Sequence, residues 1–317
     1  MSQTSTHSTW SFRTDITDDE LRARLANVSE RSQYGWGQSV RVGSVVQDGF
    51  LGWKWRNVLT ELDALGWLPS DLSGQRVADV GCFSGAMSLV MADRGAHVTA
   101  VDEVPEHLEQ ARTLVELLAV EGVETVEASL YSLHEHVPPA SFDIVLLSGV
   151  LYHLSDMLAG LIAVQQLLKP GGTVLIQTNA VENFDASYAN FGRFYAGWWW
   201  QPTALCIQDM CEFAGLERPP VRFYEPGRCL ARARKPPQAT DGQVAVPFKR
   251  GVHWPFDDLA DRDHRALDVR ALAPAPDPQA DSALAGRWFR RVVGRAARAL
   301  LDGAAAVRGR FQRRRRR

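Results

Sequence analysis

The feature that most constrains this chain is a strand-like segment that runs directly into a glycine turn and then into a helix-like segment. Four residues suited to a strand, 77–80, precede glycines at positions 81 and 85, and the helix-like stretch 86–92 follows. Glycine lets a backbone approach a ligand closely, and the start of a helix offers unpaired N–H groups. This order of elements is typical of α/β proteins that hold a nucleotide-like ligand at the carboxyl end of a strand.

A second strand-like segment, 98–101, ends at Asp102, which stands about 20 positions after the first glycine of the turn. An acidic side chain at this spacing binds the hydroxyls of a ribose in nucleotide-binding α/β folds. The pattern therefore predicts that Asp102 is a ribose ligand.

The residues between the glycines indicate which nucleotide-like ligand fits. A dinucleotide fingerprint needs a middle glycine, but Phe83 occupies that position. Asp79 adds a carboxylate, which would repel a negatively charged pyrophosphate. A cationic ligand without phosphates, such as S-adenosylmethionine, fits better. The alternative that the motif alone leaves open is an ordinary strand–turn–helix crossover with no ligand.

Strand-like and helix-like segments alternate through the middle of the chain, which predicts an α/β fold with a parallel sheet and helices on both faces. We divide the chain into an N-terminal helical cap (1–70), a ligand-binding domain (71–236), a Pro/Ala-rich linker (237–283) and a basic amphipathic tail (284–317). The predicted strands are 77–80, 98–101, 123–128, 142–147, 174–178, 221–224 and 229–233; the predicted helices are 18–28, 52–62, 105–120, 156–168 and 203–214; residues 34–50 are predicted to be a loop.

The tail carries twelve arginines and one acid, although the whole chain has a net charge of only −2. A charge run of this kind is most often a solvated end. One alternative is contact with an anionic membrane surface through Trp288, Phe289, Val292 and Val293. The other is contact with nucleic-acid phosphates. The acidic remainder of the chain argues weakly against extensive RNA contact.

The apolar segments and cysteines bear on where such a protein resides. The chain has no run of about 18 apolar residues and no basic-then-apolar leader pattern, so we expect a cytoplasmic protein, peripheral at a membrane if the tail binds there. Its four cysteines show no C-x-x-C spacing. We therefore expect buried free thiols rather than disulfides or a zinc site, and we assign no metal ligands.

Four motifs together resemble those of the class I S-adenosylmethionine-dependent methyltransferases. They are VADVGCFSG at 77–85, VTAVD at 98–102, FDIVLLS at 142–148 and LLKPGGT at 167–173. The resemblance implies a doubly wound, seven-stranded, mostly parallel sheet of the Rossmann-like type, with its last hairpin reversed. It also implies S-adenosyl-L-methionine as the cofactor.

A narrower resemblance, over about residues 50–236, is to the bacterial tRNA wobble-uridine carboxymethyltransferases. It rests on Trp53-Lys-Trp55, on the segment Gly149–His153, on Pro202 in the late helix and on Arg228. In that family the donor is carboxy-S-adenosyl-L-methionine. The resemblance implies that Tyr152 and Arg228 help to hold its carboxylate.

The chain departs from that narrower family ahead of Lys54. The family's upstream carboxylate-binding lysine is missing, since no lysine precedes Lys54, and its upstream donor-contacting tryptophan corresponds to about Gly49. Losing one cation from a carboxylate clamp weakens selectivity for the carboxylated donor. We therefore expect plain S-adenosyl-L-methionine to be the donor, with the carboxylated form as the less favoured alternative.

Candidate site residues follow the carboxyl ends of the predicted strands. Residues 129–131, after the third strand, would border the adenine, although an ordinary surface loop is equally compatible with their sequence. The donor-binding candidates are Asp79, Gly81, Cys82, Phe83, Gly85, Asp102, Glu103, Ser129, Leu130 and Ser148.

Tyr152 and His153 are the catalytic candidates. His153 has a pKa range suited to taking a proton from an acceptor hydroxyl, and the alternative is a histidine that hydrogen-bonds backbone at a helix start. Tyr152 fits a role in the donor pocket. The substrate-binding candidates are Lys54, Tyr195, Trp199 and Arg228, of which Arg228 either binds an acidic group of the acceptor or pairs with Glu225.

The long connection 179–201 holds many aromatic residues, including Trp198-Trp-Trp200, and we interpret it as a lid over the acceptor. We expect a methyltransferase that acts on a small-molecule acceptor, through O-methylation of a sugar or secondary metabolite. The alternatives are modification of the tRNA wobble uridine and a non-catalytic binding module. The sequence assigns no oligomeric state.

Overall fold

The computed structural model describes residues 12, 14–33, 35–193 and 197–237 of the 317-residue chain. By its internal contacts the chain divides into two units, Met1–Arg250 and Gly251–Arg317, and every described residue lies in the first. The predicted linker beyond residue 237, the basic tail and Tyr195 lie outside the described residues.

Six α-helices and eleven strands are present in the described part of the chain. The helices are α1 (Asp18–Arg31), α2 (Lys54–Ala64), α3 (Ala86–Asp93), α4 (Pro105–Leu117), α5 (Met157–Leu167) and α6 (Ala204–Phe213). The strands are β1 (Val40–Val42), β2 (Val45–Gln47), β3 (Arg76–Val80), β4 (His97–Asp102), β5 (Val123–Glu127), β6 (Phe142–Ser148), β7 (Leu168–Asn179), β8 (Ala189–Phe191), β9 (Trp200–Pro202), β10 (Val221–Glu225) and β11 (Arg228–Arg234). Two short 3-10 turns, Leu130–Glu135 and Leu151–His153, follow β5 and β6.

Seven of the strands form one sheet in the order β10-β11-β7-β6-β3-β4-β5. Strand β11 runs antiparallel to both of its neighbours, whereas β7, β6, β3, β4 and β5 are parallel to one another. This arrangement confirms the predicted doubly wound, seven-stranded Rossmann-like sheet with its closing hairpin. Strand order reverses beside β3, and a crevice outside the carboxyl ends of the strands is expected at that point.

The core has two large apolar clusters, which the predicted periodicities explain. One joins α1 and α2 to α3, and it buries the Trp55, Leu59 and Leu62 face predicted for α2. The other packs α5 and α6 against residues of β6, β7 and β11, including the fully buried Phe142. Helices therefore cover both faces of the sheet, which leaves the ends of its strands accessible to a ligand.

The segment predicted as a loop at 34–50 contains a short hairpin instead. Strands β1 and β2 pair antiparallel through Val42 and Val45, with a turn at Gly43, whose φ is +54°. Val40, Val42 and Val45 are buried, so apolar anchoring stabilises pairing that the small residues of this segment do not indicate.

Strand β7 begins at residue 168, directly after α5 and ahead of the predicted start at 174. The proline and glycines at 170–172 favour a break in regular structure, but here they lie within the strand. Gly171 donates its N–H to the Lys235 carbonyl at 2.9 Å, and Lys235 donates its N–H to Gly172 at 2.8 Å. The ammonium of Lys235, 3% exposed, donates to the Leu168 carbonyl at 2.8 Å. Hydrogen bonds to Lys235, just past the end of β11, and pairing of Leu168 with Phe142 of β6 thus extend β7.

The long connection after β7 is partly ordered by a second hairpin, β8–β9. Pro202 lies in β9 and not in the late helix, because Thr203 is the N-cap of α6 and accepts from the N–H of Cys206 at 3.1 Å. No helix in the described part of the chain is long and apolar enough to cross a bilayer.

Candidate functional site

A cavity of about 330 Å³ lies at the carboxyl ends of β3, β6 and β7. The start of α2 and the β10–β11 turn complete its walls. Its lining residues are Gln38, Leu51, Lys54, Trp55, Asn57, Val58, Asp79, Gly81, Cys82, Met87, Ser148, Gly149, Tyr152, Gln177, Tyr224, Glu225 and Arg228.

The glycine turn after β3 is shaped for close approach. Gly81 and Gly85 have φ values of +70° and +80°. A Cβ atom at Gly81 would lie 2.3 Å from the Val150 side chain, and one at Gly85 would lie 2.9 Å from Ala111 Cβ. Both positions therefore require glycine sterically as well as conformationally, and α3 starts immediately after them.

Asp79 places a carboxylate in the floor of the cavity. The side chain is 2% exposed, and Ser88 Oγ donates to its Oδ2 atom at 2.6 Å. Burial, opposed by the Ser88 hydrogen bond and assisted by the nearby charge of Asp102, raises the pKa of Asp79 to about 6. A buried carboxylate of this kind is stabilised by a cationic ligand beside it.

Asp102 is fixed by three neighbours at the end of β4. Its Oδ2 atom accepts from the N–H of Phe83 at 3.0 Å, and its Oδ1 atom accepts from the N–H of Val104 at 3.0 Å. His107 Nδ1 lies 3.0 Å from the same Oδ1 atom. The His107 ring also packs against that of Phe83 at a centroid distance of 3.8 Å. The acid is thus held in one orientation beside the glycine turn.

A segment from the N-terminal cap closes the cavity over the glycine turn. Gln38 Oε1 accepts from the N–H of Ala86, the first residue of α3, at 3.0 Å, and the Gln38 N–H donates to Ser84 Oγ at 2.9 Å. The neighbouring Gly37 donates its N–H to Gln110 Oε1 at 2.9 Å. Gln38 therefore caps the helix that the motif introduces.

The position matched to the narrower family's upstream tryptophan offers no room for a side chain. A Cβ atom at Gly49 would lie 2.5 Å from the backbone carbon of Gln38 and 2.6 Å from the carbonyl oxygen of Gly37. A tryptophan here would have to displace the segment that closes the cavity.

The wall formed by β7 and the β10–β11 turn carries the polar side chains of Gln177, Tyr224, Glu225 and Arg228. Arg228 Nε lies 3.0 Å from Glu225 Oε1, so the two side chains form an ion pair. Gln177 Nε2 donates to the Tyr224 hydroxyl at 3.1 Å. Burial raises the pKa of Tyr224 to about 12, so this phenol stays protonated at neutral pH.

His153 is not among the residues that line the cavity. Its ring packs on that of Tyr152 at a centroid distance of 4.2 Å. Burial lowers the pKa of His153, the charge of Arg228 lowers it further, and a backbone hydrogen bond with Gly197 opposes the shift. The imidazole is therefore neutral at pH 7, in the state that a general base needs.

Some aromatic side chains of the connection 179–201 pack on one another. The Phe191 ring lies 6.1 Å from that of Trp199 and 4.9 Å from that of Trp200. Trp199 donates its backbone N–H to the Tyr152 carbonyl at 2.8 Å, and Trp200 Nε1 donates to Ser155 at 2.9 Å. The connection is therefore anchored beside the 3-10 turn that carries Tyr152.

The structure brings together only part of the predicted site. Lys54, Asp79, Gly81, Cys82, Ser148, Tyr152 and Arg228 line the cavity, whereas Phe83, Gly85, Asp102, Glu103, Ser129, Leu130, His153 and Trp199 are not among its lining residues. Sequence reasoning missed Gln38, Asn57, Gln177 and Tyr224, and it named Glu225 only as a partner of Arg228.

The cysteines are free thiols, with Cys82, Cys211 and Cys229 buried and Cys206 partly exposed. Burial raises the pKa of the Cys82 thiol well above its usual value, so it contributes a neutral apolar wall. No group of three potential metal ligands occurs among the side chains that the structure describes.

Comparison with known proteins places this geometry in context. Residues 78–176 match the family model of a methyltransferase domain, which confirms the broader resemblance read from the four motifs. The chain is 32% identical over 210 residues to a tRNA U34 carboxymethyltransferase of Idiomarina loihiensis, covering 64% of this chain and 62% of that protein. It is 34% identical over 153 residues to the protein of that name in Desulfotalea psychrophila, covering 46% of each.

A second kind of relative matches over a shorter stretch. The chain is 39% identical over 109 residues to a ubiquinone biosynthesis O-methyltransferase of Xylella fastidiosa, covering 34% of this chain and 43% of that protein. The chain spans less than two thirds of the length of each of these curated relatives.

Proposed function

We propose that this chain, which carries a class I S-adenosylmethionine-dependent methyltransferase domain, transfers a methyl group from S-adenosyl-L-methionine to an oxygen of a small-molecule acceptor. The observation that carries the choice of donor is the 3.0 Å ion pair between Arg228 and Glu225. Because Glu225 already neutralises Arg228, a carboxylate on the donor would have to displace it.

The charges lining the cavity support the same choice. Asp79 and Glu225 are acidic, and Lys54 and Arg228 are basic. The two acids suit the sulfonium and the ammonium group of the donor, and the bases suit its single carboxylate. A second carboxylate on the donor would need a further cation, but Arg228 is paired with Glu225 and the upstream lysine is missing.

The residues of the glycine turn fit this donor. Asp79 would hold the cationic methionine end, Asp102 the ribose hydroxyls, and the backbone at Gly81 allows close approach. When bound, S-adenosyl-L-methionine supplies an activated methyl group on a sulfonium. What this chain has to contribute is orientation of the acceptor and exclusion of water.

Acceptor orientation falls to polar groups that line the cavity. Tyr152 and Gln177 line the cavity, and the protonated Tyr224 hydroxyl, fixed by Gln177, serves as a hydrogen-bond partner for an acceptor oxygen. A hydroxyl acceptor can both donate to and accept from such groups, which favours an oxygen as the methylated atom.

The test is a comparison of the two donors on the purified protein. Titration calorimetry with S-adenosyl-L-methionine and with its carboxylated form should show tighter binding of the first. Mass spectrometry of incubations with hydroxylated sugars and phenols should show a gain of one methyl group. Transfer from the carboxylated donor alone would rule out the proposal.

The second candidate function is modification of the tRNA wobble uridine. It is favoured by the similarity to the two tRNA U34 carboxymethyltransferases, which extends over more residues than the similarity to the ubiquinone biosynthesis O-methyltransferase. It is also favoured by the presence of Tyr152 and Arg228 in the lining of one cavity. It predicts tRNA binding that weakens steeply with salt and a changed uridine in a deletion strain. If neither is found, this candidate is excluded.

A further inference from the structure

A second and larger cavity, of about 560 Å³, lies at the opposite edge of the same sheet. The starts of β6 and β7, the end of β11 and the connection from α2 to β3 form its walls. We call it the amino-edge groove, and its lining residues are Gly66, Trp67, Pro69, Gln75, Asp143, Ile144, Lys169, Pro170, Gly171, Gly172, Thr173, Arg232 and Arg234. It shares no lining residue with the cavity that holds Asp79 and Tyr152.

Basic side chains dominate this groove. Arg232 and Arg234 stand two residues apart on β11, so both project from the same face of the strand, and Lys169 follows on β7. Asp143 is the single acid of the lining. It accepts from Lys169 Nζ at 2.8 Å and from the N–H of Arg76 at 2.9 Å, so its charge is already compensated.

Arg232 is the cation with least compensation. Among the described residues it forms no ion pair, and its guanidinium carbon lies 5.5 Å from the ring centroid of the nearly buried Trp67. Arg234, by contrast, donates to the Gly171 carbonyl at 3.4 Å. Contact with an aromatic face orients a guanidinium while leaving its N–H groups free to donate.

Two neutral donors line the same groove. The side chains of Gln75 and Thr173 are partly buried and form no hydrogen bond within the described part of the chain. A concave site with three cations, one compensated carboxylate and unused amide and hydroxyl groups matches the requirements of a tetrahedral oxyanion, because each of its oxygens accepts several hydrogen bonds.

We propose that the amino-edge groove binds a phosphate group, with Arg232 as its principal ligand and Lys169 and Arg234 as supporting cations. The ligand class is a phosphomonoester or phosphodiester. The groove is separate from the donor cavity, so occupation of one leaves the other free. The proposal does not depend on which acceptor is methylated.

The experiment measures anion binding to the full chain and to two arginine variants. Arg232→Gln removes the proposed ligand, and Arg222→Gln is the matched control, because Arg222 is an exposed arginine of β10 outside the groove. The probes are orthophosphate, adenosine monophosphate and a fluorescein-labelled RNA hairpin. Binding is followed by equilibrium dialysis for the small anions and by fluorescence anisotropy for the RNA.

We expect Arg232→Gln to weaken phosphate binding by about tenfold, in line with the loss of one charge-assisted hydrogen-bonding group, while Arg222→Gln leaves it unchanged. Titration of S-adenosyl-L-methionine should give the same affinity in all three proteins, which also shows that they are folded. Tight binding of the small probes would identify a phosphorylated small ligand. Binding of RNA alone, with a reduced salt slope in Arg232→Gln, would identify a nucleic-acid backbone.

Three outcomes would overturn the proposal. One is equal weakening in both arginine variants, since that reflects net charge alone. Another is competition between phosphate and S-adenosyl-L-methionine, which would place the anion in the donor cavity. The third is no detectable binding of any probe at low salt.

Discussion

Phe83 donates its backbone N–H to Asp102 Oδ2 at 3.0 Å, which ties the glycine turn after β3 to the end of β4. Asp102 is 7% exposed, and its other oxygen accepts from the N–H of Val104. The carboxylate that would bind the ribose hydroxyls therefore also forms a hydrogen bond that links the turn after β3 to the end of β4. A change at Asp102 should affect both binding and stability.

We expect Asp102→Asn to weaken binding of S-adenosyl-L-methionine at least about tenfold and to lower the free energy of unfolding by roughly 1–3 kcal/mol. The asparagine amide keeps one accepting oxygen but turns N–H groups towards existing donors. Calorimetry and urea denaturation measure the two effects. The exposed Glu121→Gln is the control, and equal behaviour of the two variants would contradict the structural bond.

The raised pKa of Asp79 makes stability depend on pH in a defined direction. The ordinary pKa of an aspartate is 3.8, and that of Asp79 in the folded chain is about 6, so the folded state holds the proton more tightly. This contribution to stability is fully present below about pH 4 and is lost as the pH rises through about 6. At pH 8, ligand-free Asp79→Asn should be more stable than the parent by up to about 3 kcal/mol, and at pH 4 this difference should disappear. Urea denaturation of both proteins at pH 4 and pH 8 measures it.

The same carboxylate should make donor binding depend on pH in the opposite sense. A cationic donor binds the ionised form of Asp79, so affinity should fall as the pH drops below about 6, and Asp79→Asn should bind weakly at every pH. Calorimetry from pH 5 to pH 8 tests this. Asp93→Asn, a change at the end of α3, should keep the parent pH profile. A flat parent profile would exclude Asp79 as the cation's partner.

Freeing Arg228 should change the choice of donor. In Glu225→Gln the 3.0 Å ion pair is lost, and the guanidinium becomes available to a carboxylate. Because the pair is partly exposed, we expect a change of roughly five- to tenfold in the ratio of the two donor affinities, towards the carboxylated donor. Competition binding measures the ratio. Glu217→Gln, an exposed acid outside the cavity, should leave it unaltered.

Gln38 should contribute to both helix capping and donor binding. Gln38→Ala removes the oxygen that accepts from the N–H of Ala86, at a cost of about 1 kcal/mol in stability. It also opens the cavity wall, so donor affinity should fall, whereas loss of helix capping alone would leave the affinity of the folded protein unchanged. Thermal unfolding with and without donor separates the effects. Gln47→Ala on β2 is the control, and matching donor affinities in the two variants would remove Gln38 from the site.

The role of His153 is open to a direct kinetic test. Because the ring packs on that of Tyr152 and is not among the cavity-lining residues, we expect His153→Asn to retain methyl transfer within about threefold, far less than the effect of removing a general base. Tyr152→Phe should cost more. Loss of the acidic limb of the pH–rate profile in His153→Asn would instead establish the catalytic prediction made from sequence.

The parts of the site that sequence predicted are those encoded locally. Asp79 lies in β3 and Gly81 follows that strand directly. The residue type alone indicates a charge at position 79 and an unusual backbone conformation at position 81. The parallel sheet was predictable because strand-like and helix-like segments alternate along the chain and β6 is a nearly continuous apolar run. Local patterns are therefore enough to predict the fold and the floor of the cavity.

The missed residues come from distant segments and carry no local signal. Gln38 reaches the glycine turn from the N-terminal cap, 48 positions before Ala86, and a glutamine in a loop predicts nothing by itself. Gln177 and Tyr224 meet only because β7 and the β10–β11 hairpin are neighbours in the sheet. The early start of β7 was missed for a similar reason, because it depends on pairing with Lys235.

The buried ammonium of Lys235 sets a limit on how far this chain can be shortened. The ammonium donates to the Leu168 carbonyl, and the Lys235 backbone bonds to Gly171 and Gly172. Removal of Lys235 would leave these groups at the start of β7 without their partners. A truncation after Arg234 should therefore yield insoluble or protease-sensitive protein, whereas one placed after Pro237 should not. Limited proteolysis would find this boundary without any knowledge of the substrate.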